Sequence, residues 1–259
     1  MNATHGILYL VPNTLDFGLA AAPPIEDVLP LGVLRLAAGL EHWLAENAKT
    51  TRAFLKRVGA VVPLGRPIQD LAIVELPRPA KGGARGAASA DIDKTLEALL
   101  APALAGQAIG LLSEAGLPAV ADPGAAVVAL AHRLQIEVVA LPGASSLLLA
   151  LASSGLNGQS FAFVGYLPTD ASARAGRIRE LETHSHRWRQ TQIMIETPYR
   201  NGALLSALID HLQPATKLAV SSGLTCASAF TRSDEVGNWR RRPSTLPDDV
   251  PAVFSLLAG

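Results

Sequence analysis

LLSEAGLPAVADPGAAVVALAHRLQIEVVALPGASSLLLALASSGLNGQSFAFVGYL, residues 111–167, decides how this chain is read. Three Gly/Pro turns punctuate it: Ser113-Glu114-Ala115-Gly116, Asp122-Pro123-Gly124 and Pro142-Gly143. Each follows or flanks an apolar segment short enough to be a buried strand or helix. Glycine and proline set turn geometry and let a ligand come close to the main chain. Turns of this kind after strands of an open α/β sheet line the crevice where ligands bind.

Outward from this stretch, strand-like and helix-like segments alternate. Ile7 to Val11, closed by Pro12, predicts an opening strand. Pro30 to Glu46 carries an apolar helical face through Leu31, Leu34, Leu40 and Leu44, with a strand beginning near His42. Thr50 to Val58 predicts a helix with Phe54, Leu55 and Val58 on one face, and Leu71 to Leu76 a strand. Asp91 to Leu104 predicts a helix capped by Asp91. Ala108 to Leu112 and Ile136 to Leu141 read as strands either side of a helix at Ala125 to Leu134. Strands separated by helices predict a mostly parallel sheet. Beyond Pro142 the pattern changes. Helices are expected at Ser145–Ser154 and Ala173–Thr183, and strands at Phe161–Val164, Gln192–Glu196, Lys217–Ser221, Cys226–Thr231 and Ala252–Leu256. Fewer helices and more adjacent strands imply a mixed or antiparallel sheet. The expected division is therefore 1–141 and 142–259. Pro77 to Ala90 (PRPAKGGARGAASA) reads as a mobile loop.

Composition bounds the function. With 49% hydrophobic and 17% charged residues among 259, the chain buries a core and is not disordered. Its 22 basic and 22 acidic residues cancel, so any RNA contact needs a local basic patch. Candidates are Arg174, Arg177, Arg179, Arg187 and Arg189, and the triplet Arg240-Arg241-Arg242, although a solvated helix face is the commoner explanation of such runs. The single cysteine, Cys226, excludes an intramolecular disulfide and any multi-cysteine metal site, and reads as a small buried hydrophobe. No metal site is expected: His184 and His186 sit in a charged segment and read as solvated. No G-x-G-x-x-G follows the first strand, which argues against a nicotinamide fold. No leader and no membrane span is expected, so the reading is cytoplasmic.

The order of the turns resembles the tetrapyrrole-methylase superfamily of S-adenosylmethionine (SAM) methyltransferases. It is most similar to the branch that 2'-O-methylates a cytidine of small-subunit ribosomal RNA. The pattern there, SDAGTPLISDPG, then LPG, then a GFLP-like turn, is matched by Ser113-Glu114-Ala115-Gly116-Leu117-Pro118, Ala121-Asp122-Pro123-Gly124, Leu141-Pro142-Gly143 and Gly165-Tyr166-Leu167-Pro168. Pro142-Gly143-Ala144-Ser145-Ser146 resembles the PG-x-S-[SA] turn, and Glu196-Thr197-Pro198-Tyr199-Arg200 the YES-x-x-R element. Two elements depart. Where the branch has TPIGNLDD, this chain has Val11-Pro12-Asn13-Thr14-Leu15-Asp16, without the glycine. Where it has AAEDTRHTRKLL, this chain keeps Glu46, Thr51, Arg52 and Leu55 but carries Asn47 in place of the acid. Glu114 also replaces an Asp. The chain reads as a divergent paralogue.

The resemblance implies a two-domain α/β fold, a parallel-sheet N-terminal domain and a mixed-sheet C-terminal domain, with SAM in the interdomain cleft, and a homodimer. It implies cofactor contacts at Pro12, Ser113, Glu114, Ala115, Gly116, Pro118, Asp122, Pro142, Gly143, Ser145, Ser146, Ile195, Pro251 and Ala252. Asp122 and Ser145 are also plausible helix N-caps. Arg52, Tyr199 and Arg200 are substrate candidates; a Glu196–Arg200 surface pair is the plainer alternative for the last. A ribose hydroxyl needs a general base, for which Glu46, Asp122 and Glu196 are the candidates. The leading acceptor is ribosomal RNA of the small subunit. A tetrapyrrole carbon is second, and a SAM-binding protein without methyl transfer is the third reading.

Overall fold

The computed structural model describes residues 5–16, 22–77 and 88–259, with the side chains of 88–93 left out. The core of the expected loop, 78–87, lies outside the described residues. The chain divides into two compact units, 1–144 and 145–259.

In the first unit five strands form one parallel sheet: β1 (Ile7–Val11), β2 (His42–Ala45), β3 (Ala72–Glu75), β4 (Ile109–Leu112) and β5 (Glu137–Ala140), in the order β3-β2-β4-β1-β5. Among the described residues the α-helices are α1 (Leu31–Gly39), α2 (Ala48–Val61), α3 (Ala88–Leu104) and α4 (Ala125–Arg133). Parallel strands are covered on both faces and so read as continuous apolar runs. All four residues of β4 are buried accordingly. One layer packs Val33, Leu34, Trp43, Phe54, Leu55 and Val58 together; the other gathers Leu8, Leu44, Leu100, Leu111, Val127 and Leu130. Trp43 meets Phe54 edge-on at 6.2 Å and donates its indole N–H to the Leu40 carbonyl. Truncating Phe54 to alanine there would cost about 3–5 kcal/mol.

Two boundaries differ from expectation. The first helix stops at Gly39; Leu40 is extended, and Leu44 belongs to β2 rather than to a helical face. Helix α3 begins at Ala88, so Asp91 lies inside it and does not cap it.

The second unit holds a mixed sheet in the order β6-β7-β10-β8-β9, from β6 (Phe161–Gly165), β7 (Thr191–Glu196), β8 (Lys217–Ser222), β9 (Phe230–Glu235) and β10 (Ala252–Leu257). Only β6 and β7 run parallel. The helices are α5 (Ser146–Ser154), α6 (Ala171–Trp188), α7 (Asn201–His211) and α8 (Val236–Arg241). The described helices are thus as numerous as in the first unit, contrary to the expectation of fewer. One sheet face buries Ile178, Leu204, Leu208, Trp239 and Phe254; α5 covers the other with Leu147, Ala150 and Leu151 on Ile193 and Val253. The strand expected at Cys226–Thr231 begins instead at Phe230 and continues to Glu235. Cys226 stands in the preceding turn, half-buried rather than in the core.

Candidate functional site

Strand order and register bring distant turns to one edge of the first sheet. Ala45 and Val11 both sit opposite Leu112, and Leu10 sits opposite Ala140. The residues that follow these strands, Glu46-Asn47, Pro12-Asn13, Ser113-Glu114 and Pro142-Gly143, therefore emerge side by side at the carboxyl edge, where open α/β sheets bind ligands.

The Ser113 to Gly116 turn is gripped from both flanks. On the β1 side, Asn13 is buried and its amide donates to the carbonyls of Ser113 (3.2 Å) and Glu114 (2.9 Å); its backbone N–H reaches Gly116 at 2.8 Å. On the β2 side, Glu46 accepts the Glu114 N–H at 3.0 Å, and Asn47 donates to the Glu114 carboxylate at 2.8 Å. Gly116 has φ +67°, which favours glycine. Gly143 lies flat on Pro12: a Cβ there would fall 2.3 Å from the Pro12 Cβ. The loop that lost its glycine is thus rigidly tied by Asn13. Among the described residues the buried Ser113 hydroxyl has no well-aligned hydrogen-bond partner, and it stands beside the Asp122 carboxyl.

Asp122 sits on a segment with unusual backbone. Ala119 and Ala121 both have φ +65°, and Gly124 has φ +131°. Gly124, not Asp122, is the N-cap residue of α4, and no side chain caps that helix. The Asp122 carboxyl is released for another role. Its pKa is pushed from 3.8 to about 7, first by burial and then by the negative charges of Glu46 and Glu114. The Ser113 hydroxyl beside it opposes the rise without a well-aligned hydrogen bond. Perturbed carboxyls at a ligand-binding edge are candidate acid–base groups.

A cleft of about 460 Å³ opens beside this edge, lined by Asn13, Thr14, Asp16, Asn47, Lys49 and Arg57 among others. Buried Asp16 binds Arg57 at 2.9 Å, and the same guanidinium donates to Thr14 (3.0 Å) and to the Pro23 carbonyl (2.9 Å). The arginine of α2 that reaches the cleft is Arg57; the expected Arg52 is exposed outside its lining. Acidic and basic groups balance in this lining.

The second unit gathers Ile195, Glu196, Pro251 and Ala252, because Ala252 pairs with Glu196 and Val253 with Ile195. Glu196 is not a surface acid. Its side chain is 1% exposed, pairs with Arg200 at 2.9 Å and accepts from Thr197 N–H at 2.8 Å. Its carboxylate is held in an ion pair by Arg200 rather than standing open at the strand end. Tyr199 is 74% exposed. Ser145 occupies the N-cap position of α5 without a side-chain cap bond, leaving its buried hydroxyl for other contacts. The Pro251 carbonyl is held by Ser222 Oγ and Gly223 N–H. The Arg240–Arg242 triplet is spent on structure: Arg240 donates to the carbonyls of Ile209 and Leu212 at the end of α7, and Arg242 pairs with Asp234 at 3.0 Å. His184 and His186 are exposed on α6. No group of three metal-ligating side chains occurs among the described residues, and no helix among them is long and apolar enough to cross a membrane.

Sequence reasoning missed Asn13, Thr14, Asp16, Lys49 and Arg57, and with them the donor role of Asn47. Only Asn47 carried a local signal, as an N-cap preceding an amphipathic helix: its Oδ1 accepts from Lys49 and Thr50 N–H. The others meet through strand order alone.

The model of the family Tetrapyrrole (Corrin/Porphyrin) Methylases matches residues 44–236. Two relatives named ribosomal RNA small subunit methyltransferase I align with part of the chain. That of Synechocystis sp. is 39% identical over 127 residues, 49% of this chain and 44% of the relative. That of Mesorhizobium japonicum is 37% identical over 127 residues, 49% and 42% of the two chains. The match therefore spans less than half the length of these relatives. Among solved structures, uroporphyrin-III C-methyl transferase from Thermus thermophilus complexed with S-adenyl homocysteine superposes with a TM-score of 0.51 at 20% identity, covering 97% of each chain. The methyltransferase CobJ gives 0.55 at 15% identity, covering 98% of this chain and 95% of that one. These likenesses show the fold: a parallel-sheet domain followed by a mixed-sheet domain. With the match extending over residues 44–236, the chain belongs to the tetrapyrrole (corrin/porphyrin) methylase family.

Proposed function

We propose that this chain is a SAM-dependent methyltransferase whose acceptor is a ribose 2'-hydroxyl of small-subunit ribosomal RNA. The observation that carries the reading is the meeting of four turns at the carboxyl edge of the first sheet, with Asp122 beside the acids Glu46 and Glu114 of two of them. The family and the names of the two aligned relatives support it.

The residues fit the cofactor. Glu46, Glu114 and Asp122 supply negative charge for a cationic ligand, and the buried Ser113 hydroxyl stands beside Asp122. Bound SAM would supply an electrophilic methyl group on sulfur. Asp122, Ser113 and the 113–116 turn are the first unit's share of its binding. Ser145, Ser146, Ile195 and Ala252 are the second unit's. In this reading residues 1–141 carry the acceptor side and the cofactor turn, and 142–259 supply the remaining cofactor contacts. A homodimer in the cytoplasm completes it.

Of the three candidate bases, Asp122 is the one that fits. Glu196 is sealed by Arg200, and Glu46 is occupied by the Glu114 N–H. With a pKa of about 7, Asp122 is substantially ionised at neutral pH and basic enough to take the acceptor proton. The balanced cleft beside it disfavours a polycarboxylate tetrapyrrole, which would call for an excess of cations.

The first test is calorimetric titration with SAM and S-adenosylhomocysteine. Transfer of labelled methyl to small ribosomal subunits lacking the modification follows, with the 2'-O-methyl nucleotide identified by mass spectrometry. Micromolar binding and an Asp122-dependent 2'-O-methyl product are expected. Absence of binding to either ligand overturns the enzyme assignment; binding with transfer only to a tetrapyrrole overturns the acceptor.

A further inference from the structure

Asn47 works at both ends. Its Oδ1 accepts the N–H groups of Lys49 (2.9 Å) and Thr50 (3.3 Å) and so fixes the side chain at the start of α2, while its amide N–H holds the Glu114 carboxylate at 2.8 Å. Cap and clamp are mutually dependent: the cap dictates which end of the amide faces Glu114. The preceding residue, Glu46, takes the Glu114 backbone N–H at 3.0 Å. Successive residues of one loop therefore grip the backbone and the side chain of a single turn residue. Two of the positions at which the chain departs from the motifs it resembles, 47 and 114, are bonded to each other.

We propose that Asn47 is a positioning residue for the cofactor turn: its side-chain amide, oriented by the α2 cap, holds Glu114 and with it residues 113–116 in the geometry that binds the adenosyl ligand. This rests on the proposed function. The chemistry is directional. Aspartate at 47 would cap α2 as well as asparagine does but would set carboxylate against carboxylate at Glu114. Glutamine at 114 would then restore the bond with donor and acceptor exchanged.

The test is titration of S-adenosylhomocysteine into the wild-type chain, Asn47→Asp, Glu114→Gln and the Asn47→Asp/Glu114→Gln double variant, with melting temperatures recorded for each. Asn47→Asp is expected to keep its melting temperature, because the cap survives, and to lose about tenfold in affinity, the low end for a hydrogen bond to a charged group. Glu114→Gln keeps an acceptor for Asn47 and loses about two- to threefold on the same basis. The double variant is expected to bind better than Asn47→Asp alone. Multiplying losses in the double variant, or an Asn47→Asp variant that binds as wild type, overturns the inference. A wild-type chain that does not bind the ligand overturns the proposed function itself, and this inference with it.

Discussion

Replacing Asp122 with asparagine should stabilise the protein at alkaline pH while abolishing methyl transfer. The carboxyl has a pKa of about 7 in the folded chain against an ordinary 3.8, because burial and the charges of Glu46 and Glu114 disfavour its ionised form. The folded state therefore holds a proton that the unfolded chain releases between about pH 4 and 7. Stability is greatest below the lower value, falls as pH rises through the interval and is level above it. At about 1.4 kcal/mol per pKa unit the displacement sets a ceiling of roughly 4 kcal/mol. Asp122 is only partly buried, and solvent screening reduces this to about 1–2 kcal/mol. Urea denaturation of wild type and Asp122→Asn at pH 4.5 and pH 8 measures it directly. The wild type should lose about 1–2 kcal/mol more than the variant between the two conditions, and the variant should be the more stable at pH 8. Parallel pH dependences, or a variant less stable at pH 8, would show that Asp122 is ionised without strain and remove the reason for choosing it as base.

Three further outcomes are expected. Ala119→Gly and Ala121→Gly, each at φ +65°, should raise stability by up to about 1 kcal/mol apiece in thermal melts, since a left-handed alanine is strained where glycine is not; a fall in melting temperature would count against it. Arg57→Ala removes the guanidinium 2.9 Å from the buried Asp16 carboxylate and should cost up to about 3 kcal/mol in urea denaturation, with Asp16→Asn/Arg57→Met regaining most of it; equal losses in both would contradict this. Gly143→Ala drives a methyl into Pro12, and at least a tenfold loss of S-adenosylhomocysteine affinity is expected by calorimetry, on the order of 1.4 kcal/mol; unchanged affinity would take Gly143 out of the site.

Where local chemistry dictates structure, the chain was readable. Ile7–Val11 is an apolar run closed by Pro12 and forms β1; Phe54, Leu55 and Val58, expected on one helical face, are buried on α2. The misread elements have physical causes. Strand β9 is FTRSDE, an edge strand with one neighbour and no fully buried residue, so it lacks the apolar run that announced the others. Helix α7 buries Leu204, Leu205 and Leu208 at helical spacing, a signal eclipsed by the Glu196 to Arg200 motif just before it. Asp122 looks like a cap, yet the turn through Ala119 and Ala121 moves that position to Gly124. Glu46, Glu114 and Asp122 were each named through the resemblance, but no local pattern shows that they meet. Glu46 and Glu114 are neighbours only because β2 lies beside β4 although β3 separates them in sequence. The same holds for Asp16 and Arg57, which no local pattern connects.

The strand order also constrains the nascent chain. Strand β1 lies between β4 and β5, and Leu8 finds its partner Ile109 only after roughly a hundred further residues have been made. At about 5–20 residues per second, the apolar ILYLV segment waits on the order of ten seconds for a neighbour on either side. Strands β2 and β3 can pair with each other in that interval, but the slot β4 must fill stays open. This domain therefore condenses late, around a strand translated long after the first, and ILYLV is the segment that a chaperone would shield meanwhile.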